Sequence, residues 1–233
     1  MAANFSAVAR AQAESSLTFR RIVELELDPV QGNVDAAHVR EIHRRIFQDL
    51  PNAGFANVNP GAWRKPVPAG EDWMKERALS TVDGVFAVAY SRMDAKARRR
   101  LDAALKLALP AQLRGLGTGQ FTNRIASLYA ELDYLHPFND GNSRTLRTFT
   151  RQLARAAGFD IDWARFAGSA VGRDLLYIAR DLSVNALALP LLAHPDSKRK
   201  LVYRTDRLAG NPDLRTLMPM ESRFSIMWSK ALL

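Results

Sequence analysis

Apolar positions recur along most of this chain at helical spacing. Val39, Ile42, Ile46 and Leu50 fall on one face of a segment from about 34 to 50, with Asn33 or Asp35 available as its cap and Pro51 to end it. From 51 to 70 the periodicity stops. The run PNAGFANVNPGAWRKPVPAG is rich in Pro, Gly and Asn, and is expected to be a long irregular excursion with a short extended or hairpin portion around Trp63 to Val67. Such loops usually bind something or lie over a site, and the plainer reading is a connector with Trp63 set against the core. Helical composition resumes near Asp72 and is expected to continue as two or three elements to about Leu109. Phe121, Ile125, Leu128, Leu132 and Leu135 then form the clearest stripe, which delivers the chain to His136. Leu146, Phe149 and Leu153 mark a further helix closed by Gly158, and one or two more fill 162–193. No internal repeat, convincing strand alternation or βαβ rhythm is present, so the pattern predicts an all-α class.

Composition narrows the chemistry. The 233 residues are 47% hydrophobic, enough to build one core, and contain no cysteine, which removes disulfides, thiolate metal sites and cysteine nucleophiles. No run approaches a bilayer span and the N-terminus lacks a signal-peptide pattern, so no membrane insertion and a cytoplasmic setting are expected. Lys and Arg total 33 against 24 Asp and Glu, a net charge of +9 that favours an anionic partner. The basic residues are scattered, without zinc-finger spacing, a basic region with heptads or an aromatic RNA-binding signature; direct nucleic-acid binding is therefore not expected.

The chemistry concentrates in residues 136–147, HPFNDGNSRTLR. Pro137 is expected to hold His136 extended at the end of the preceding helix, and Phe138 to anchor the loop in the core. Gly141 permits positive φ or close backbone approach, and the free amides opening the next helix make an anion site to which Asn142 can add a donor. Arg144 and Arg147 lie three apart, on one helix face, where guanidinium groups can clamp phosphate. A carboxylate at Asp140 would repel phosphate unless a hard cation lay between them, which points to Mg²⁺. His136 can then accept the proton of an attacking hydroxyl. Together these residues describe phosphoryl or nucleotidyl transfer from a Mg²⁺-nucleotide, although each alone also suits a structural role; the stretch is neither a Walker loop nor a dinucleotide fingerprint.

The same stretch resembles the signature of the Fic family, HPFx[D/E]GN[G]RxxR, matching at His136, Pro137, Phe138, Asp140, Gly141, Asn142, Arg144 and Arg147. Context from about 20 to 190 is similar to Fic segments. The resemblance implies a Fic-type helical bundle with a small β-hairpin flap, a Fic domain with N-terminal helices over 1–195, and a basic, polar extension over 196–233. It implies a protein adenylyltransferase: His136 deprotonates a Ser, Thr or Tyr hydroxyl of a target protein, the hydroxyl attacks the α-phosphate of ATP, AMP is transferred and pyrophosphate leaves. By resemblance Asp140 positions Mg²⁺, Asn142 and the amides around Gly141 hold the α-phosphate, Arg144 contacts the β- and γ-phosphates and Arg147 supports them. The target protein would dock along the flap, expected near residues 61–68.

Ser143 departs from the glycine usual in AMP-transferring members and from the lysine of Doc-like kinases. UMP, phosphocholine or Doc-like phosphate transfer therefore stays open beside AMP transfer, as does an inactive binding module. The PNAGFANVNPGAWRK segment also departs from the flap approach of many bacterial Fic toxins. The inhibitory [S/T]xxxE[G/N] helix of autoinhibited members is absent, and Glu131 is assigned to scaffold; a separate antitoxin protein or another restraint is implied. The setting would be a toxin in its own cytoplasm or an effector delivered into a host cell.

Overall fold

The structure is a computed structural model in which residues 6–81, 85–166 and 168–201 are described. Helix α1 (Ala7–Leu27) is capped by Ser6, and α2 (Ala36–Phe47) by Asp35, whose carboxylate accepts the His38 amide at 3.0 Å. The stripe on α2 is buried as its spacing predicts, with Val39, Ile42, Ile46 and Phe47 all in the core. An antiparallel hairpin follows, β1 (Trp73–Ala78) and β2 (Val85–Tyr90), with Trp73 opposite Tyr90 and Lys75 opposite Val88. The chain continues through α3 (Ala95–Lys106), the short α4 (Pro110–Leu113), α5 (Thr118–Leu135), α6 (Asn142–Ala156) and α7 (Ala170–Ala188).

Helix α5 is the axis of the bundle. It packs against α3, α6, α7 and β2, and its Phe121, Ile125, Tyr129, Leu132 and Leu135 are fully buried. Each such side chain contributes about 1.5–3 kcal/mol relative to exposure. Because α5 is enclosed on most sides, its C-terminus at His136 is held by the core rather than by a surface loop. The architecture is an all-α bundle carrying one small β-hairpin, and no described helix is long and apolar enough to cross a membrane.

The hairpin corrects two expectations. Residues 73–78 and 85–90 form the two strands, not helix, and the hairpin expected as the flap therefore lies there rather than at 61–68. Along β2 the run VFAVAY is buried from Phe86 to Tyr90 because α5 and α7 both pack on it, so it shows no alternation and reads like a buried helical segment. Residues 61–68 are denied a ladder by Pro66 and Pro68, whose nitrogens carry no hydrogen, and by the left-handed Gly61 at φ 76°. That segment instead pins its neighbours: the Val67 amide donates to the Arg92 carbonyl at 2.8 Å, and the Arg64 amide to the Pro137 carbonyl at 2.9 Å. Trp63 sits against the core, its ring 4.9 Å from that of Phe138. Of the extension expected over 196–233, residues 202–233 lie outside the described residues, whereas Leu201 is buried in the main core.

The second edge of β2 is satisfied by a side chain instead of a strand. Asn185 on α7 accepts the Ala89 amide at 3.1 Å and donates to the Ala87 carbonyl at 3.0 Å. Replacing it with leucine leaves two buried backbone groups without partners. Asn185→Leu is expected to lower unfolding free energy by about 2–3 kcal/mol in urea titration, with hydrogen exchange accelerating first in residues 85–90.

Candidate active site

The loop that opens at His136 begins with an unusual backbone. His136 caps α5 in the left-handed region, φ 45° and ψ 60°, with its amide donating to the Leu132 carbonyl at 3.1 Å. This corrects the extended conformation expected from Pro137. A non-glycine residue there costs about 1–2 kcal/mol, and Arg64 supplies the restraint. Buried to 3% exposure, its guanidinium donates from Nε to the His136 carbonyl at 2.7 Å and from Nη2 to the carbonyls of Ser91 and Leu135, while lying 3.8 Å over the Trp73 ring. Burial pushes its pKa down to about 10.

The His136 imidazole is enclosed by the hairpin. Tyr90 lies 3.9 Å from it between ring centroids and Trp73 meets it edge-on at 5.4 Å. Burial lowers its pKa to about 4, against the opposing pull of the Asp133 carboxylate, so the ring is neutral near pH 7. Nε2 lies 3.3 Å from Lys75 Nζ. An ammonium has only hydrogens to offer, so Nε2 is the acceptor and the ring proton rests on Nδ1.

His136, Asp140, Gly141, Asn142, Ser143, Arg144 and Arg147 share one cleft of about 370 Å³, with Lys75, Arg77 and Tyr90 of the hairpin on one side and Tyr177 and Arg180 of α7 on another. Phe138 is fully buried behind them, stacked on His43 at 3.8 Å, which is the anchoring expected of it. Gly141 has φ 72°, and a Cβ there would come within 2.1 Å of the Phe47 ring, so only glycine fits. The amides of Asn142, Ser143 and Arg144 precede the first intrahelical bond of α6, from the Thr145 amide to the Gly141 carbonyl at 3.0 Å. The Asn142 side chain has a different task from the expected donor. It accepts the Phe138 amide at 3.0 Å and donates to the Phe138 carbonyl at 2.8 Å, closing the loop on itself.

The arginines differ in availability. Arg144 is held by Glu14 on α1 at 2.5 Å and by Thr18 at 3.1 Å, above the Phe47 ring. Arg147 donates only to the Ser143 carbonyl at 3.3 Å and pairs with no carboxylate among the described residues. Ser143 presents its hydroxyl to Arg180 Nη1 at 3.2 Å. Asp140 is exposed at the cleft, and among the described residues no cluster of three acidic or histidine side chains stands ready to hold a metal. The exposed carboxylates of Asp140 and Glu76 among cationic side chains fit Mg²⁺ carried mainly by phosphate and water, not a protein cage. Glu131 pairs with Arg100 at 2.6 Å away from the cleft, as a scaffold residue does.

Comparison with known proteins agrees with this geometry. Residues 33–154 match the Fic/DOC family. The chain belongs to that family. It is 32% identical over 156 residues to protein adenylyltransferase VbhT of Bartonella schoenbuchensis, covering 66% of this chain and 28% of that one. To a protein adenylyltransferase of Bartonella henselae it is 28% identical over 148 residues, covering 63% and 26%. The chain thus spans roughly a quarter of the length of these curated relatives. Its fold matches BepC of Bartonella tribocorum, a VirB-translocated effector solved with bound AMPPNP, at a TM-score of 0.57 and 16% identity over 96% of this chain and 86% of that one.

Four residues of this Fic/DOC site escaped the sequence reading: Arg64, Lys75, Asp133 and Arg180. The last two carried a signal, since a carboxylate three residues before His136 and an arginine within the apolar run LLYIARDLSV are both costly to bury unless paired. Arg64 and Lys75 carried none, because their partners are distant in sequence.

Two outcomes follow for the site. Arg64→Met removes donors from buried carbonyls and is expected to cost about 3 kcal/mol or more in urea unfolding. Acid should also destabilise the fold. Burial lowers His43 and His136 each to about 4, so between pH 6.5 and 4 the unfolded chain takes up protons that the folded one refuses. Their contribution is complete above pH 6.5 and is lost as pH falls, by up to about 3 kcal/mol each. Asp181, pushed up to about 6 by burial against the pull of Arg77, acts with opposite sign over part of that window. The urea midpoint is expected to fall from pH 7.5 to 5, less steeply in His136→Gln.

Proposed function

We propose that this chain transfers AMP from Mg²⁺-ATP to a Ser, Thr or Tyr hydroxyl of a target protein. The observation that carries the reading is the neutral, enclosed His136, whose Nε2 faces the same cleft as Asp140, the free amides of α6 and Arg147. The names of its adenylyltransferase relatives and the AMPPNP held by BepC support the choice of reaction and donor.

The target hydroxyl approaches His136 along the hairpin, where Nε2 exchanges its contact with Lys75 for the hydroxyl proton. The hydroxyl oxygen bonds to the α-phosphorus, the bond from that phosphorus to the bridging oxygen breaks, pyrophosphate leaves and the proton stays on Nε2. The α6 amides and Arg147 bind phosphate oxygens, while Arg144 joins them by giving up Glu14 and Thr18. Asp140 would hold Mg²⁺, which when bound neutralises phosphate charge. Strand β1 has no strand on its other edge among the described residues, which suits a target segment added alongside it. The description of BepC as a translocated effector supports action on host-cell proteins.

Incubation of the protein with Mg²⁺, a cell lysate and ATP labelled at either the α- or the γ-phosphate tests this reading. Label is expected on protein from α-labelled ATP alone. His136→Ala should lose at least roughly 10²-fold in transfer while ATP binding by calorimetry changes little, and Arg147→Ala should weaken ATP binding about tenfold. Label from γ-labelled ATP alone would replace AMP transfer by phosphate transfer. Absence of label from ATP, UTP, GTP and a CDP conjugate would reject catalysis of this kind.

A further inference from the structure

Beside His136, with Arg180 at the wall of the cleft and Asp133 behind it, lies a buried ion pair that the reaction as drawn leaves without a role. Arg180 on α7 grips Asp133 on α5 through Nε at 3.0 Å and Nη2 at 2.8 and 3.0 Å, with both residues at most 3% exposed. A buried pair of this kind is weak evidence for stability, since apolar residues of like volume often serve as well. Its placement indicates another purpose. Asp133 Oδ1 is 3.8 Å from His136 Nδ1, and that nitrogen is buried without a hydrogen-bond partner among the described residues. The third donor of Arg180, Nη1, reaches Ser143 in the first turn of α6. One guanidinium therefore couples the carboxylate behind the base to the helix that opens the phosphate site.

We infer that Asp133, held in place by Arg180, is a positioning residue that keeps the His136 proton on Nδ1 and so leaves Nε2 as the basic nitrogen facing the cleft. At 3.8 Å the contact is too long for a hydrogen bond in the resting state. It is an electrostatic one that strengthens when Nε2 takes the substrate proton and the ring becomes cationic. Without Arg180, an isolated buried carboxylate would tend to take up a proton itself and lose that role. The other charged or titratable groups facing the ring are Lys75 from β1, Tyr90 from β2 and Arg180, with Arg64 on its carbonyl. None of these offers Nδ1 an acceptor.

The inference rests on the reading of His136 as the base, and its test separates the two. The chain has only four histidines, so ¹⁵N-imidazole labelling gives a sparse spectrum in which His136 is assigned by its loss in His136→Gln. At pH 7.5 the wild type is expected to show the Nδ1–H tautomer. Asp133→Leu combined with Arg180→Met replaces the pair by apolar side chains and avoids stranding one buried charge. In a Lys75→Met background, where nothing among the described residues donates to Nε2, this pair of substitutions should make Nε2–H substantially populated, whereas Lys75→Met alone keeps Nδ1–H; in the otherwise native chain the pair should lower kcat for transfer from α-labelled ATP by roughly 10²-fold. Asp133→Asn can still accept from Nδ1–H through its carbonyl. It should keep the tautomer and most of the activity at pH 7.5, while the acid limb of its kcat/KM profile moves to lower pH. A folded Lys75→Met, Asp133→Leu, Arg180→Met variant with the tautomer of Lys75→Met alone would overturn the inference, whatever its activity. If the wild type transfers no label, AMP transfer fails as the function and the tautomer measurement still decides the role of Asp133.

Discussion

A buried guanidinium that pairs with no carboxylate among the described residues holds the reactive end of this molecule together. Arg64 reaches from the irregular segment before β1 to carbonyls at the end of α5 and at Ser91, just after β2, and it lies flat on Trp73 of β1. Its charge is tolerated because the carbonyls at a helix C-terminus carry partial negative charge and no water competes for them. Three separate pieces of chain meet at this one side chain: the connector, the hairpin and the loop that opens at His136. The left-handed backbone of His136 persists because its carbonyl is fixed from outside, so the imidazole is aimed by a residue 72 positions away.

The charges around the cleft divide by depth. Asp133/Arg180 and Arg77/Asp181 are embedded, and parting either pair would leave a buried charge, a cost of about 3–5 kcal/mol that makes them rigid walls. Arg144 and Glu14 are each about a quarter exposed, so water lowers the cost of separating them and an anion can take the place of Glu14. Lys75 and Arg147 remain without ion pairs among the described residues. A cleft with satisfied deep charges and available outer cations is arranged so that a polyanion could enter without dismantling its support.

Ser143 illustrates how a departure from a motif can be structural. In sequence it separated this chain from both glycine- and lysine-bearing members of the family. In the fold its hydroxyl meets Arg180, whose ion pair with Asp133 stands beside His136. The serine thereby joins α6 to α7, a link that glycine could not make.

Helices α2, α5 and α6 were legible because each buries one face, and burial of one face writes a 3.6-residue period into the chain. The loop from His136 to Arg147 was legible for a related reason: its parts are local, so a helix end, a glycine turn and a helix start carry their geometry within a dozen residues. The hairpin was not, since β2 is enclosed by α5 and α7 and shows no alternation, and 61–68 was mistaken for it on the strength of its turn residues. The same holds for His136, where the local rule about a residue before proline yielded to Arg64, and for Asn142, whose amide turned to Phe138. Sequence alone determined the helical class, the family signature and the chemical types gathered at the site. Only the tertiary structure decided which nitrogen faces the cleft, which arginine is already engaged and where the flap lies, because those depend on contacts between residues far apart in the chain that leave no periodic mark.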